Sequence, residues 1–175
     1  MNKYSIKDFL HAKLERHKST LQKTSFDDAK NIYLCSDKSM AHVYNFDSYI
    51  EENFDMTQLP ASPDAILVGE KKIYFIEFKN QSPSDINKKN IKDKFDRGTK
   101  ILKDLLKDFK PQDIEYIFCV VHKNQPSRYF NSAHIESMIP KFGLEEKNAD
   151  FDNFYAKIIV EDIDYYKRNF KQLQC

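Results

Sequence analysis

Three side chains near the middle of the sequence have the types and spacing for phosphate chemistry. Asp64 follows Pro63, and Glu77 and Lys79 stand two apart at the end of the apolar run Ile73–Phe78. In a strand, residues two apart share a face, so Glu77 and Lys79 project together while Phe78 points away. The Gly69-Glu70-Lys71 turn signal folds the chain back, which brings Asp64 beside the far end of the second arm. Two carboxylates and one ammonium are then expected at one edge of a sheet. Two carboxylates suit Mg²⁺, which keeps several waters and takes phosphate oxygens as further ligands. Such an ion offsets charge on a phosphoryl group. Lys79 would orient or deprotonate the attacking water, or bind the scissile phosphate.

The E-x-K spacing alone says little, because it recurs at Glu70–Lys72 and Glu145–Lys147. Context separates Glu77–Lys79. Only there does an acidic residue interrupt a strand that reads as buried, and a charge in such a place is costly unless paired or metal-bound. Only there does a Pro-Asp dipeptide precede across a hairpin, and Pro63-Asp64 is the one Pro-Asp in the chain.

Elements must hold these residues in place. Ser5 to Gln22 reads as a helix, with Ser5 and Asp8 at N-cap and N3 spacing and an apolar stripe from Ile6 to Leu21. Asn31 to Cys35 suits a short strand, and Tyr44 to Phe54 a second helix. Ala65–Val68 and Ile73–Phe78 are the arms of a β-hairpin. Residues 80–87 read as a loop. A long helix over 88–110 carries Ile91, Phe95, Leu102, Leu105, Leu106 and Phe109 on one face, and Pro111 stops it. Strands follow at 114–122 and 154–160, and helices at 131–141, with Phe142-Gly143 as its stop, and at 163–173. The alternation predicts a single α/β domain with a mixed central sheet flanked by helices. Residues 1–60 form its helical N-terminal part and 61–175 the hairpin–helix–strand core.

Asp64, Glu77 and Lys79, in the order PD, hairpin, apolar strand, ExK, resemble the motif of the PD-(D/E)xK nuclease superfamily, the restriction-endonuclease-like fold. The resemblance implies phosphodiester hydrolysis of nucleic acid, with DNA favoured, by an Mg²⁺- or Mn²⁺-dependent endo- or exonuclease. It implies that Asp64 and Glu77 bind the metal, with the Phe78 carbonyl as a further candidate ligand, and that Lys79 is catalytic. Many members place an acidic residue on a helix before the hairpin; Glu51 or Glu52 matches that position. Lys89, Lys92, Lys100, Lys103 and Lys107, on the helix after the ExK strand, are candidate phosphate-binding residues, with Gln81 a further candidate. A competing reading is a non-catalytic protein-binding module, of immunity or assembly type, on a nuclease-like scaffold.

Composition narrows the field further. Among 175 residues, 28 are Lys or Arg and 27 are Asp or Glu, so the net charge is only +1. That argues against a strongly basic nucleic-acid binder. Regionally the balance differs: residues 86–110 hold nine basic and four acidic residues, and residues 51–80 hold six acidic and three basic. The basic residues are nearly all lysine, a point charge suited to phosphate, whereas arginine is the usual bidentate reader of guanine. Specificity would then be weak, or supplied by a homodimer or protein partner. Three glycines exclude a Gly-rich phosphate loop. Cys35, Cys119 and Cys175 are odd in number and widely spaced, which suggests neither a zinc site nor a disulfide framework. No stretch approaches 18 apolar residues, so no membrane association is expected, and the chain reads as cytoplasmic.

Overall fold

The computed structural model describes residues 5–40, 42–109, 113–124 and 141–170. Its frame is a five-stranded mixed sheet flanked by helices. The strands are β3 (Val43–Asn45), β4 (Ala65–Val68), β5 (Lys72–Lys79), β6 (Glu115–His122) and β7 (Lys157–Asp162), in that spatial order. A separate small hairpin is formed by β1 (Phe26–Asp27) and β2 (Ile32–Tyr33). β3, β4 and β5 pair antiparallel, and β5, β6 and β7 pair parallel. β5 is thus the central strand, where the pairing changes sense. It is flanked on both sides, and its run KIYFIEFK is buried from Ile73 to Phe78. A strand buried on both faces reads as a continuous apolar run, which is how this one was identified.

The register makes Asp64 and Glu77 neighbours. Ala65 lies opposite Ile76 and Val68 opposite Ile73, so continuing the ladder by one residue sets Asp64 opposite Glu77. One face of the sheet, bearing Ile66, Ile73, Phe75, Phe118 and Val120, packs on the helices α1 (Ile6–Leu14), α3 (Phe46–Asn53) and α4 (Lys88–Leu105). The other face, with Leu67, Tyr74, Ile76, Phe78 and Cys119, packs on a cluster that includes Leu21, Ile163 and Tyr166. Glu77 and Lys79 keep phase with Phe75, so they point toward the α4 side.

Local chemistry places the helix starts. Ser5 Oγ accepts the Asp8 amide and donates to the Asp8 carboxylate, a shortened capping box. Asn45 accepts the Ser48 amide at the head of α3, and Asn87 accepts the Asn90 amide at the head of α4. α4 then crosses over from β5 to the parallel β6. Its first half lies at the end of the sheet where β5 finishes.

Several expectations need correction. The N-terminal helix ends at Leu14; a 3-10 turn at Glu15–His17 and a four-residue helix, α2 (Leu21–Thr24), take up the remainder. Tyr44 belongs to β3, and the following helix starts at Phe46, because Asn45 caps it. The long helix ends at Leu105 rather than 110. Gly143, with φ +68°, opens α5 (Leu144–Ala149). The last strand runs 157–162, and α6 (Ile163–Asn169) follows with Asp162 as its cap. The expected helix at 131–141 falls, save for Lys141, outside the described residues, as does the end of the one at 163–173. Cys119 is a buried free thiol whose pKa burial pushes up to about 12. Cys35, against expectation, is disulfide-bonded; odd counts and wide spacing see only local pairs and do not exclude a bridge between distant residues. Among the described residues, no helix is long and apolar enough to cross a membrane.

Candidate active site

Asp64 is anchored twice. Its carbonyl accepts the Phe46 amide at the start of α3. Its carboxylate Oδ2 accepts the Phe78 amide at 2.6 Å. That amide lies between Glu77 and Lys79, so the backbone of the ExK strand itself fixes the Asp64 carboxylate. The other oxygen, Oδ1, faces the Nζ of Lys94 on α4 at 3.2 Å.

Glu77 is fully buried, with 0% side-chain exposure, and both of its oxygens meet a lysine. Oε1 lies 2.7 Å from Lys79 Nζ and Oε2 lies 2.9 Å from Lys94 Nζ. Only the second contact is aligned as a hydrogen bond. Lys79 donates a hydrogen bond instead to Asn90 Oδ1 at 3.2 Å. Lys94 therefore bridges the two carboxylates, and Lys79 closes the cluster from the solvent side, with 21% of its side chain exposed.

Asp47, in the first turn of α3, brings a third carboxylate close. It accepts the Ser62 hydroxyl at 2.7 Å. Burial and the negative charge of Asp64 raise its pKa to about 6, against the pull of Ser62 and Lys94. Burial raises Glu77 too, to about 7, with Asp64 adding to the shift and Lys94 and Lys79 opposing it. Burial works against the Lys94 ammonium, but Asp64 and Glu77 outweigh it and hold its pKa well above the ordinary lysine value. Carboxyl groups with raised pKa beside a firmly charged lysine, in a cleft, form the electrostatic pattern of a functional centre.

A cavity of about 470 Å³ opens onto this cluster. Its far wall is Lys23 to Asp28, from α2 and β1. Its near wall includes Asn45, Asp47, Glu51, Asp64 and the segment Phe78 to Gln81. Among the described residues the wall is acidic: Asp27, Asp28, Asp47, Glu51 and Asp64 stand against two lysines, Lys23 and Lys79. Phe78 borders this cavity while its ring packs in the core on the opposite face. His122, across the β5–β6 register from Lys79, is buried; its Nδ1 contacts the Lys123 carbonyl, and its Nε2 has no hydrogen-bond partner among the described residues.

The structure thus brings Asp64, Glu77, Lys79, Phe78, Glu51 and Gln81 to one place. It separates Glu52, which turns to His17 Nε2 at 3.0 Å and Arg16 at 3.3 Å. The lysine stripe is divided. Lys89 is exposed in the first turn of α4, and Lys92 lies beside Gly143. Lys100 is tied to Asp96 on its own helix, and Lys107, just past the helix end, to Asp104. Lys103 sits over the rings of Phe151 and Phe154, at 5.8 and 5.7 Å. At 1.5 Å of rise per residue, Lys103 is about 14 Å along the helix from Lys94.

Lys94, Asp47 and Asn90 had no place in the sequence reading. For Lys94 a signal exists: it lies three residues after Ile91 and four before the buried Gly98, so a cation stands on the inward face of the helix. Asp47 reads as an ordinary acid in a first helical turn, which the helix dipole favours anyway. No group of three or more His, Cys, Asp or Glu is placed to hold a metal among the described residues. The pair Asp64 and Glu77 still offers two carboxylate oxygens within reach of one point, now taken by Lys94 Nζ. Mg²⁺ needs no more than one or two protein carboxylates, so this pair fits such an ion.

No family model, curated protein or solved structure matches this chain.

Proposed function

We propose that this protein is a divalent-metal-dependent nuclease with a restriction-endonuclease-like core, hydrolysing phosphodiester bonds of nucleic acid, DNA before RNA. The observation that carries the reading is the convergence of Asp64 and Glu77 on one cationic point, with Lys79 on the same carboxylate. Asp64 and Glu77 would hold Mg²⁺ or Mn²⁺, with the Phe78 carbonyl a further candidate and Asp47 or Glu51 across the cavity. Of the two acids expected on the preceding helix, Glu51 lines the cavity with Asp47, and Glu52 is committed to His17 and Arg16. A bound divalent ion supplies Lewis-acid polarisation of a phosphoryl oxygen and lowers the pKa of water.

The chain's own residues do the rest. The Phe78 amide holds the Asp64 carboxylate in one orientation, and the burial of Glu77 keeps it in a medium where charge–charge terms are large. Lys79 is the partly exposed ammonium on the cavity wall, placed to stabilise negative charge growing on phosphoryl oxygens or to orient the attacking water. Asn90 fixes its direction. The acidic wall repels a polyanion by itself, so substrate would approach closely only with cations present.

Purified protein incubated with duplex DNA, single-stranded DNA and RNA, in Mg²⁺ or Mn²⁺, tests this. Cleavage is expected, with loss of about 10³-fold or more in Lys79→Ala and Glu77→Gln, the scale of one electrostatic catalytic group. Absence of cleavage on all three substrates, or full activity in Lys79→Ala, refutes it.

One observation favours a second reading. The buried carboxylates are already matched by Lys94 and Lys79, as in a structural ion cluster on a non-catalytic, protein-binding module. Calorimetry separates the two: Mn²⁺ affinity that disappears in Asp64→Asn belongs to the nuclease.

A further inference from the structure

Lys94 Nζ lies 3.2 Å from Asp64 Oδ1 and 2.9 Å from Glu77 Oε2. These are distances of charge-assisted N–H···O bonds. A Mg²⁺ ion between the same oxygens would need them at 2.0–2.1 Å. One point cannot hold both cations, and at such separations they would repel strongly in a partly buried site. The ammonium therefore occupies the position a metal would take.

We propose that Lys94 is the resident counter-cation of the Asp64–Glu77 pair, and that a divalent ion enters only as the Lys94 ammonium withdraws. The proposal rests on reading that pair as metal ligands. Without a cation, two carboxylates facing each other, one fully buried, would be costly; Lys94 spares the metal-free protein that cost. Lysine suits an exchangeable role. It is a point charge on a flexible four-carbon stem, whereas an arginine would grip both carboxylates with a rigid fork. Asp47 offers the departing ammonium a third carboxylate: it is the next negative group acting on Lys94, and among the described residues its side chain accepts a hydrogen bond from the Ser62 hydroxyl alone. Lys79 is not the exchanging group, because Asn90 gives it a second partner outside the carboxylate pair. The lysine thus sets the metal affinity of the site and makes it weaker than the carboxylates alone would give.

Titration calorimetry with Mn²⁺ on the full chain tests this through opposite signs. Removing a competing state from the apo ensemble raises apparent affinity by the inverse of the binding-competent fraction. Lys94→Met is expected to bind Mn²⁺ about ten-fold tighter than wild type, and Lys94→Arg more weakly. Asp64→Asn identifies the site by abolishing the binding. A second measurement needs only wild-type protein. Acylation of lysines, read by mass spectrometry, should increase at Lys94 when Mg²⁺ is added and stay constant at Lys100, so the proposal stands or falls even if Lys94→Met does not fold. Equal Mn²⁺ affinities in wild type, Lys94→Met and Lys94→Arg, all lost in Asp64→Asn, with unchanged Lys94 labelling, would overturn the exchange and leave the metal centre standing. No Mn²⁺ binding by any of them would overturn both.

Discussion

Pro63 and Gly98 meet so closely that one added carbon does not fit: a Cβ on Gly98 would lie 2.5 Å from Pro63 Cδ and 3.2 Å from the Phe75 ring. This contact sets α4 against the hairpin. Lys94 lies one turn before Gly98, and Asp64 follows Pro63, so the same contact sets the distance between the ammonium and the carboxylate. In an ordinary helix, Gly→Ala is worth up to about 1 kcal/mol of stability. Here the proline ring cannot swing aside, and overpacking costs about 1–3 kcal/mol. Gly98→Ala is therefore expected to lower stability in urea unfolding, and to lower cleavage activity beyond what the unfolded fraction explains.

The metal-free protein should lose stability as pH rises. Asp47 and Glu77 have pKa values of about 6 and 7 in the folded chain, against 3.8 and 4.5 ordinarily. Between those limits the folded state binds more protons than the unfolded one, so stability falls as pH climbs from about 4 to 7. A loss of a few kcal/mol between pH 5 and pH 8 is expected from this pair, with Glu77 contributing more than Asp47. Asp47→Asn should flatten the profile and be more stable than wild type at pH 8. A steeper loss in Asp47→Asn, followed by chemical denaturation in chelator, contradicts this origin.

Glu52 belongs to the scaffold. It braces the buried His17, whose other nitrogen contacts Ser48 Oγ at 3.0 Å. Glu52→Gln is expected to cost about 1 kcal/mol while leaving Mn²⁺ affinity within two-fold of wild type. Calorimetry and unfolding on one preparation check both parts.

The distal lysines should matter little for nucleic acid. Lys103 covers two aromatic rings, so Lys103→Ala should destabilise by about 1 kcal/mol. Replacing Lys100, Lys103 and Lys107 together should leave the salt dependence of DNA binding nearly unchanged, whereas Lys89→Ala should reduce its slope by about one unit. Fluorescence anisotropy at several salt concentrations reads this directly.

The carboxylate pair was legible because strand periodicity is rigid: a two-residue step and a hairpin turn leave Asp64, Glu77 and Lys79 only one mutual arrangement. Helices are less forthcoming. Lys94 is one of nine basic residues within 25, and only knowing which face meets Pro63 separates it from its solvated neighbours. Asp47 was hidden by an N-cap that serves two elements, since Asn45 closes β3 and opens α3.

The Asp64–Glu77 relationship also bears on the order in which the molecule assembles. The two residues close a span of only 14 residues through one hairpin, a type of contact that forms within microseconds. Lys94 reaches the pair across separations of 17 and 30 residues, and contacts of greater sequence separation are expected to form later. In the interval the hairpin holds two carboxylates face to face with Lys79 alone to answer them. Docking of α4 is then drawn by charge as well as by its apolar face, and the chain acquires its acid pair before it acquires the cation that quiets it.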